Sequence, residues 1–186
     1  MATMIYTIGY GRRPFHDVHA MLRHYGVSAV ADVRTTPYSR DPSYRKEILS
    51  SLLRRNNIAY VFLGAELGFS AGAIGNDARF QSGVDRVMKG AMTYCVALLC
   101  VEQDPIHCHR SVLIGRALAQ RGSMVQHILG LNSVESQQAT MQRLMARVGL
   151  PLLDLFASPE ELEDLACRVW VRNARQRMQH RMAALR

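Results

Sequence analysis

The sequence predicts an α/β protein: a Rossmann-like three-layer fold with a mostly parallel five-stranded sheet, followed by an appended C-terminal helix. Short runs of β-branched and aromatic residues alternate with segments of helical periodicity, a pattern typical of parallel strands covered by helices on both faces. Residues 93–101 are largely apolar, as expected for a central strand. A break at Gly149 and Pro151 separates this part from a last, more basic helix.

The first half of the chain contains three predicted strands, at residues 4–8, 27–33 and 58–63. Pro14 suits the first turn of a helix whose apolar residues recur at helical spacing, and Gly26 ends that helix. Ile48 and Leu53 belong to a second helix. Residues 64–75 form a Gly/Ala-rich loop that is too long to be a simple connection.

The second half continues the alternation of strands and helices. Strands are predicted at residues 93–101 and 124–129, and helices at residues 80–88, 109–121 and 133–148. Ser158 and Glu161 have the spacing of a capping box, which predicts the start of the last helix. The apolar stripe of that helix is interrupted by a polar patch, so a break is predicted near Asn173.

Composition limits the class of protein. Of the 186 residues, 48% are hydrophobic and 20% are charged, which excludes disordered and low-complexity classes. The longest strongly apolar run, residues 95–101, is too short to span a bilayer, and no signal peptide is recognisable. The four cysteines form no CxxC pair. We therefore expect a cytoplasmic protein with reduced thiols and no membrane contact.

The positive charge is concentrated at the C-terminal end. The formal net charge is +8, of which residues 1–165 carry +2 and the last 21 residues carry +6. This asymmetry predicts a division into an α/β domain, residues 1–149, and a basic amphipathic helical extension, residues 150–186. The extension can dock a second subunit to form a homodimer, contact nucleic acid or be solvated, and the sequence leaves these alternatives open.

Polar residues follow the first two strands at the edge where a parallel sheet binds its ligands. Gly11 and Arg12 come after the first strand, and Asp32 ends the second. Arg34 and Arg40 are interleaved with tyrosines, among them Tyr38, a combination that binds phosphates and stacks on bases. The alternative is a rigid loop in which Asp32 and the arginines pair with one another.

The segment from Cys100 to Ser111 is the most informative part of the chain. It places Cys108, His109, Arg110 and Ser111 at the start of a helix, where free N–H groups attract anions and lower the pKa of a thiol. The functional interpretation is an anion-binding site with a reactive Cys108. The alternative is a small buried cysteine beside an arginine that pairs with an internal acid.

More specific motifs do not fit the spacing. A tyrosine-phosphatase loop needs five residues between its cysteine and arginine, and that spacing from Cys108 leads to Ile114. The third glycine of a dinucleotide fingerprint is replaced by Pro14. His107, Cys108 and His109 are consecutive, so their side chains are expected to diverge rather than share a metal. We therefore predict neither a cofactor nor a metal.

The chain resembles the domain-of-unknown-function 488 family over roughly residues 4–148. The matching pieces include Ile8-Gly9-Tyr10-Gly11, Asp32-Val33-Arg34, and Cys100 with the run from Pro105 to Ser111. The resemblance implies a compact Rossmann-like domain and no settled activity. Members of the family usually carry a second glycine after Leu67-Gly68, where this chain has Phe69.

Three functions follow from these residues. The leading hypothesis is an enzyme for a phosphate-bearing substrate, a nucleotide or nucleic acid, with Asp32 as general acid or base and Arg34 and Arg110 holding the anion. Cys108 would then be an auxiliary thiol and Tyr38 a stacking group. The first alternative is a non-catalytic nucleic-acid-binding protein. The second is a thiol or redox protein that uses Cys100 and Cys108.

Overall fold

The computed structural model describes residues 3–69 and 77–183, and in these ranges six strands form one mixed sheet. The strands are β1 (Met4–Gly9), β2 (Ala29–Asp32), β3 (Ala59–Phe62), β4 (Val96–Cys100), β5 (Met124–Gly130) and β6 (Ser133–Ser136). Their order is β3-β2-β4-β1-β5-β6. Neighbours are parallel except for β5 and β6, which are antiparallel.

The helices alternate with the strands as predicted. They are α1 (Phe15–His24), α2 (Lys46–Arg55), α3 (Gly64–Leu67), α4 (Ala78–Ala91), α5 (Arg116–Gln120), α6 (Gln137–Arg147) and α7 (Pro159–Ala183). A π-helical segment, Arg110–Gly115, leads directly into α5. Residues 70–75 of the predicted Gly/Ala-rich loop lie outside the described residues. Among those described, no helix has both the length and the apolar character needed to cross a bilayer.

Three predictions about elements are wrong. Residues 64–67 of the predicted Gly/Ala-rich loop form the short helix α3. Residues 133–136 are not helical but form β6, which pairs with β5. The Ser136 side chain accepts the N–H of Ala139 as the N-cap, so α6 begins at Gln137, four residues after the predicted start. The sheet therefore has six strands rather than five. The predicted break near Asn173 is absent from α7, which is continuous over its described length. The strand order also differs from that of the dinucleotide-binding fold, because β4 lies between β2 and β1. The Rossmann-like description therefore stays a prediction.

Apolar side chains alternate between the two faces of the sheet. Ile5 and Leu98 pack in a cluster with residues of α4 and α5 on one face, whereas Ile8 and Leu99 pack with α1 and α2 on the other. All residues of β4 are buried, which confirms its central position. The sheet is therefore covered on both faces, and its ligand-accessible part is the edge where the parallel strands end.

The C-terminal extension packs against the α/β domain. The Ser158–Glu161 capping box is confirmed, since the Glu161 N–H donates to Ser158 Oγ and the Ser158 N–H donates to Glu161 Oε2. Residues of α7 form an apolar cluster with α6, and the indole of Trp170 donates from Nε1 to the Ile106 carbonyl over 2.8 Å. This contact brings α7 next to the loop that follows β4.

Candidate functional site

The carboxyl ends of β1, β2 and β4 lie side by side, and the predicted site residues follow them. Gly9 pairs in register with Cys100, and Asp32 pairs with Leu99. A Cβ atom at Gly9 would lie 1.8 Å from the Glu102 carbonyl oxygen, so only glycine lets the loop after β4 come this close to β1. The strand ends therefore bring three loops together.

Asp32 and Arg34 form a buried ion pair. Arg34 Nε donates to Asp32 Oδ1 over 2.8 Å and Nη2 donates to Oδ2 over 2.5 Å, while the Tyr60 hydroxyl also donates to Oδ2 over 2.8 Å. Arg34 Nη1 donates to the Tyr44 carbonyl over 2.8 Å. The Asp32 side chain is inaccessible to solvent. The pair thus makes its hydrogen bonds within the protein. This agrees with the alternative interpretation, a rigid loop in which Asp32 pairs with an arginine.

Arg110 and Ser111 also make internal contacts. Arg110 is fully buried, and its guanidinium donates to the Glu102 carbonyl, to the Gln103 carbonyl over 3.0 Å and to Thr7 Oγ1 over 3.1 Å. The Ser111 hydroxyl donates to the Cys108 carbonyl over 3.0 Å. Arg110 thereby fastens the loop after β4 to β1, and this contact occupies the donors that an anion would need.

A buried histidine extends this network away from the edge. Thr7 Oγ1 lies 2.8 Å from His127 Nδ1, and His127 Nε2 lies 3.0 Å from Gln137 Oε1. Burial, followed by the positive charge of Arg110, lowers the pKa of His127 to about 3. His127 is therefore a neutral hydrogen-bonding link behind Arg110.

Four reactive groups, which we call the thiol cluster, converge above the end of β4: Cys100, Cys108, His109 and Glu102. His109 Nδ1 lies 3.9 Å from the sulfur of Cys100 and 3.9 Å from that of Cys108. Glu102 Oε2 lies 3.5 Å from the Cys100 sulfur and 3.1 Å from the Cys108 sulfur. The strand end supplies Cys100, and the turn before the π-helical segment supplies Cys108 and His109.

The two thiols of the cluster have opposite acidities. Burial opposes ionisation of Cys108, but the hydrogen bond with Cys100 and the charges of Arg110 and His109 outweigh it and hold the pKa of Cys108 well below its ordinary value. The hydrogen bond with Cys108, followed by burial, raises the pKa of Cys100 well above the ordinary value. The two thiols therefore titrate as a pair, in which Cys108 is the one that ionises first.

His109 is held in one orientation. Its Nε2 lies 2.9 Å from the Val33 carbonyl oxygen. Because a carbonyl only accepts, Nε2 carries a proton whether the ring is charged or neutral. When the ring loses its second proton, the Nδ1 lone pair faces the two sulfurs. His109 is therefore oriented by the end of β2 and presents a ligand or base atom to the cluster.

Three members of the thiol cluster, Cys100, Glu102 and His109, lie on the floor of a cavity of about 540 Å³, the thiol cavity. The loop after β2 supplies one wall, with Arg34, Thr35 and Thr36, and the loop after β4 supplies the floor, with Cys100, Val101, Glu102, His107 and His109. Phe69 and the α7 residues Trp170, Ala174, Arg177 and Met178 complete it. The volume suits a small molecule.

A second depression, the basic groove, lies on the other side of Val101. It is lined by Tyr10, Gly11, Arg12, Arg13, Tyr38, Ser39, Arg40, Asp41, Tyr44 and Val101 and has a volume of about 540 Å³. Gly11 has a φ of +56°, a conformation that favours glycine. The predicted residues are thus divided between two places, with Gly11, Arg12, Tyr38 and Arg40 in the groove.

Sequence reasoning missed several residues of the thiol cavity. Glu102 follows Cys100 by two residues, and only the fold of the loop turns its carboxylate back onto both sulfurs. Trp170 and Arg177 belong to α7, which nothing in the local sequence connects with this edge. His107, Cys108 and His109 were expected to diverge. The structure instead brings Cys108 and His109 together around a sulfur from a separate element, Cys100.

Comparison with known proteins identifies a family but no characterised relative. The model of the family DUF488, Domain of unknown function DUF488, matches residues 14–75 and 73–117, which is more than half of the chain. This match confirms the family resemblance. Comparisons with curated proteins and with solved structures gave no significant match.

Proposed function

Because the chain belongs to the DUF488 family, a family defined without a function, we propose its function from the thiol cluster. We propose a redox protein in which Cys100 and Cys108 alternate between a dithiol and a disulfide, against a small-molecule substrate in the thiol cavity. The observation that carries this proposal is the distance between the sulfurs, which, with His109 Nδ1, lie within 4.8 Å of one another. A disulfide needs about 2.05 Å, so a small movement of one loop suffices.

The surroundings of the two cysteines support the exchange. Cys100 ends a central strand and lines the thiol cavity, whereas Cys108 is deeper, with 1% of its surface exposed. We therefore assign the first bond to Cys100 and the second to Cys108. In contrast, the buried Cys167 thiol donates to the Val112 carbonyl and is not a member of the thiol cluster.

The chemistry is a two-step thiol–disulfide exchange. The Cys108 thiolate takes up the proton of Cys100 while the Cys100 sulfur attacks one sulfur of a substrate disulfide, and the first substrate thiolate leaves. The Cys108 sulfur then attacks the Cys100 sulfur of the mixed disulfide, and the second substrate thiol leaves. The substrate gains two electrons and the proton that the two cysteines held, and it takes its second proton from water. The protein loses two electrons as the Cys100–Cys108 disulfide forms.

Trapping the mixed disulfide tests this order. In a Cys95→Ser/Cys167→Ser background, a chromogenic aromatic disulfide is expected to release two thiol equivalents per chain and to leave a protein lighter by two hydrogens. Adding Cys108→Ser is expected to stop the reaction at a mixed disulfide on Cys100, because the resolving thiol is missing. Mass spectrometry of the intact chain measures the loss of two hydrogens, and mass spectrometry of its peptides locates the adduct on Cys100.

The matched control is Cys100→Ser in the same background. It is expected to form no adduct while its thermal unfolding remains that of the parent, since serine replaces the thiol at similar size. Trapping on Cys108 in this variant would reverse the assigned roles. A wild-type chain that consumes no disulfide, or that forms the Cys100–Cys108 bond in neither oxidant-treated nor disulfide-treated samples, would contradict the redox function.

A second candidate function is binding of an anionic ligand in the basic groove. The enzyme acting on a phosphate-bearing substrate and the nucleic-acid-binding protein both remain proposals, and Arg12, Tyr38 and Arg40 support them by lining one groove. Tyr38 is 63% exposed and presents an aromatic face to solvent. Since Arg34 and Arg110 are engaged internally, the groove rather than the ion pair would hold the phosphate.

A salt titration distinguishes this candidate. The change Arg12→Gln/Arg40→Gln is expected to weaken binding of a single-stranded oligonucleotide and to flatten the dependence of log Kobs on log salt by about 0.7–0.9 per arginine. The matched control, Arg54→Gln/Arg55→Gln, removes two exposed arginines of α2 and should leave the slope unchanged. Equal effects of both pairs would argue against the groove.

A further inference from the structure

We propose that the thiol cluster, in its reduced form, binds one Zn²⁺ ion through Cys100, Cys108 and His109, with Glu102 as the fourth ligand on the side of the thiol cavity. Two thiolates and an imidazole are a donor set that zinc prefers, and a carboxylate is the usual oxygen donor beside them. No metal was predicted from the sequence, because the side chains of the consecutive residues 107–109 were expected to diverge. Cys100 joins two of them only in the folded chain.

The distances between the donor atoms fit a tetrahedral ion. With Zn–S of about 2.3 Å and Zn–N of about 2.0 Å, tetrahedral ligands lie roughly 3.5–3.8 Å apart. His109 Nδ1 lies 3.9 Å from each sulfur, and the three donor atoms of Cys100, Cys108 and His109 lie within 4.8 Å of one another. Glu102 Oε2 is 3.5 Å and 3.1 Å from the two sulfurs. A contraction of a few tenths of an ångström to about 1 Å would close the site.

An independent observation is the support behind the histidine. A metal-bound histidine typically donates its second ring N–H to a carboxylate or backbone carbonyl, which fixes the ring and its tautomer. His109 makes this contact, with Nε2 2.9 Å from the Val33 carbonyl oxygen. Nδ1 is thereby left as the donor atom, and it is the atom that faces both sulfurs.

The charge and burial of the site also suit a metal. Two thiolates and a carboxylate carry one more negative charge than Zn²⁺ neutralises, and the buried Arg110 donates to the Glu102 carbonyl beside them. Cys100, Cys108 and His109 are 3%, 1% and 7% exposed, so the ion would be shielded from water on three sides. Arg110 also fixes the loop that carries the fourth donor.

The fourth position opens towards the thiol cavity. Glu102 is an exposed residue that lines the cavity, whereas Cys108 lies behind the floor. Three protein ligands with one exchangeable position are the arrangement of catalytic rather than structural zinc sites. A ligand in the cavity that carries a thiolate, carboxylate or phosphate oxygen can therefore replace Glu102 on the ion.

Metal binding itself does not require disulfide exchange, but one consequence rests on the proposed redox function. A bound ion occupies the sulfur lone pairs of both thiolates and protects the pair. When a substrate disulfide and two protons convert the metal-bound dithiolate to the Cys100–Cys108 disulfide, two substrate thiols and the free Zn²⁺ ion are released. Zinc would then regulate the same site.

Cobalt is the probe for the experiment. The full-length reduced chain, freed of metal with a chelator, is titrated with Co²⁺ and then with Zn²⁺. We expect one Co²⁺ per chain, with the visible bands of tetrahedral cobalt and a near-ultraviolet thiolate band, and displacement by one equivalent of Zn²⁺. Zinc is expected to raise the Tm of the chain, because it binds the folded state.

Variants separate ligands from neighbours. Losing a residue that only orients a ligand costs about 10–100-fold in affinity, so Cys100→Ser and His109→Gln are each expected to weaken Co²⁺ binding more than about 100-fold. Cys167→Ser is the control and should keep both bands. Glu102→Gln is expected to retain the thiolate band and to shift the visible bands, since only the fourth ligand changes.

The outcomes distinguish this proposal from the redox function. His109→Gln is expected to lose the metal and to form the Cys100–Cys108 disulfide more slowly, because both sulfurs remain while a group that lowers the pKa of Cys108 is gone. Formation of the disulfide in this variant also shows that the chain has folded. A wild-type chain without the thiolate band, or a His109→Gln chain that keeps wild-type affinity, would overturn the metal site. Either result leaves the disulfide test unaffected, and a failed disulfide test leaves the cobalt result standing.

Discussion

Replacing Arg34 with methionine is expected to lower the free energy of unfolding by about 3–5 kcal/mol, because it leaves a buried carboxylate without its counter-charge. Asp32 is inaccessible to solvent, and both of its oxygens accept from the Arg34 guanidinium. In the variant, the groups among the described residues that would still donate to Asp32 are the backbone N–H of residue 34 and the Tyr60 hydroxyl. Urea unfolding followed by circular dichroism measures the loss.

Three further variants show whether the loss of stability in Arg34→Met comes from the unpaired charge or from a general change in the loop. Tyr60→Phe removes one hydrogen bond to the same carboxylate and is expected to cost about 1–3 kcal/mol, the usual range for a buried acceptor that loses a partner. Asp32→Asn/Arg34→Met removes both charges and should recover part of the loss. Arg40→Met, an exposed change in the same loop, should stay within about 0.5 kcal/mol of the wild type.

The ion pair also decides between the two interpretations of this loop. If Arg34→Met were as stable as Arg40→Met and yet lost ligand binding, Asp32 and Arg34 would belong to a binding site that opens in solution. The expected result, a large loss of stability, would instead assign the pair to the support of the edge. The acid–base function predicted for Asp32 would then need another residue.

The elements could be predicted from the sequence where local pattern and tertiary environment agree. The five predicted strands each contain or match an observed strand to within three residues, because their apolar runs are the runs that the sheet buries. The capping box of Ser158 and Glu161 is a contact over three residues, and it was predicted in full. β6 was missed because its four residues are mostly polar and show no strand pattern of their own. They form a strand because they pair with β5.

The site could be predicted only in outline. Parallel strands place Cys100, Cys108 and His109 at one edge, and this much follows from topology. Whether a charged side chain there is free or paired depends on atoms that sequence spacing does not fix, as Arg34 and Arg110 show. The thiol cavity also depends on α7, whose Trp170 lies 64 residues from its hydrogen-bond partner Ile106.

The C-terminal helix therefore has a structural role at the site that its charge does not reveal. The six basic residues of the last 21 drew attention to nucleic acid or a second subunit, and both remain predictions. The apolar face of the same helix, however, is already buried against α6 and the loop after β4. Arg177 and Met178 line the thiol cavity from this helix, so a ligand that fills the cavity would contact α7.

Trp170→Ala is expected to destabilise the chain by about 3–5 kcal/mol, because it empties the space of a buried indole and leaves a carbonyl without a donor. Trp170 is 7% exposed, its ring lies 5.4 Å from that of Phe69, and its Nε1 donates to the Ile106 carbonyl. The substitution also removes part of the cavity wall. Alkylation of Cys100 in the folded protein should therefore become faster, which mass spectrometry of iodoacetamide-treated samples can follow.

Two further variants separate the ring from its hydrogen bond and from the helix as a whole. Trp170→Phe keeps most of the buried surface and loses the donor to Ile106, so a cost of about 1–3 kcal/mol and slow alkylation of Cys100 are expected. Arg172→Ala changes an exposed position of α7 and should leave both the unfolding midpoint and the alkylation rate as in the wild type. If Trp170→Ala behaved like Arg172→Ala in both measurements, Trp170 would not hold α7 over the thiols. The cavity would then have to be treated as open on that side, with Glu102 and the Zn²⁺ position exposed to bulk water.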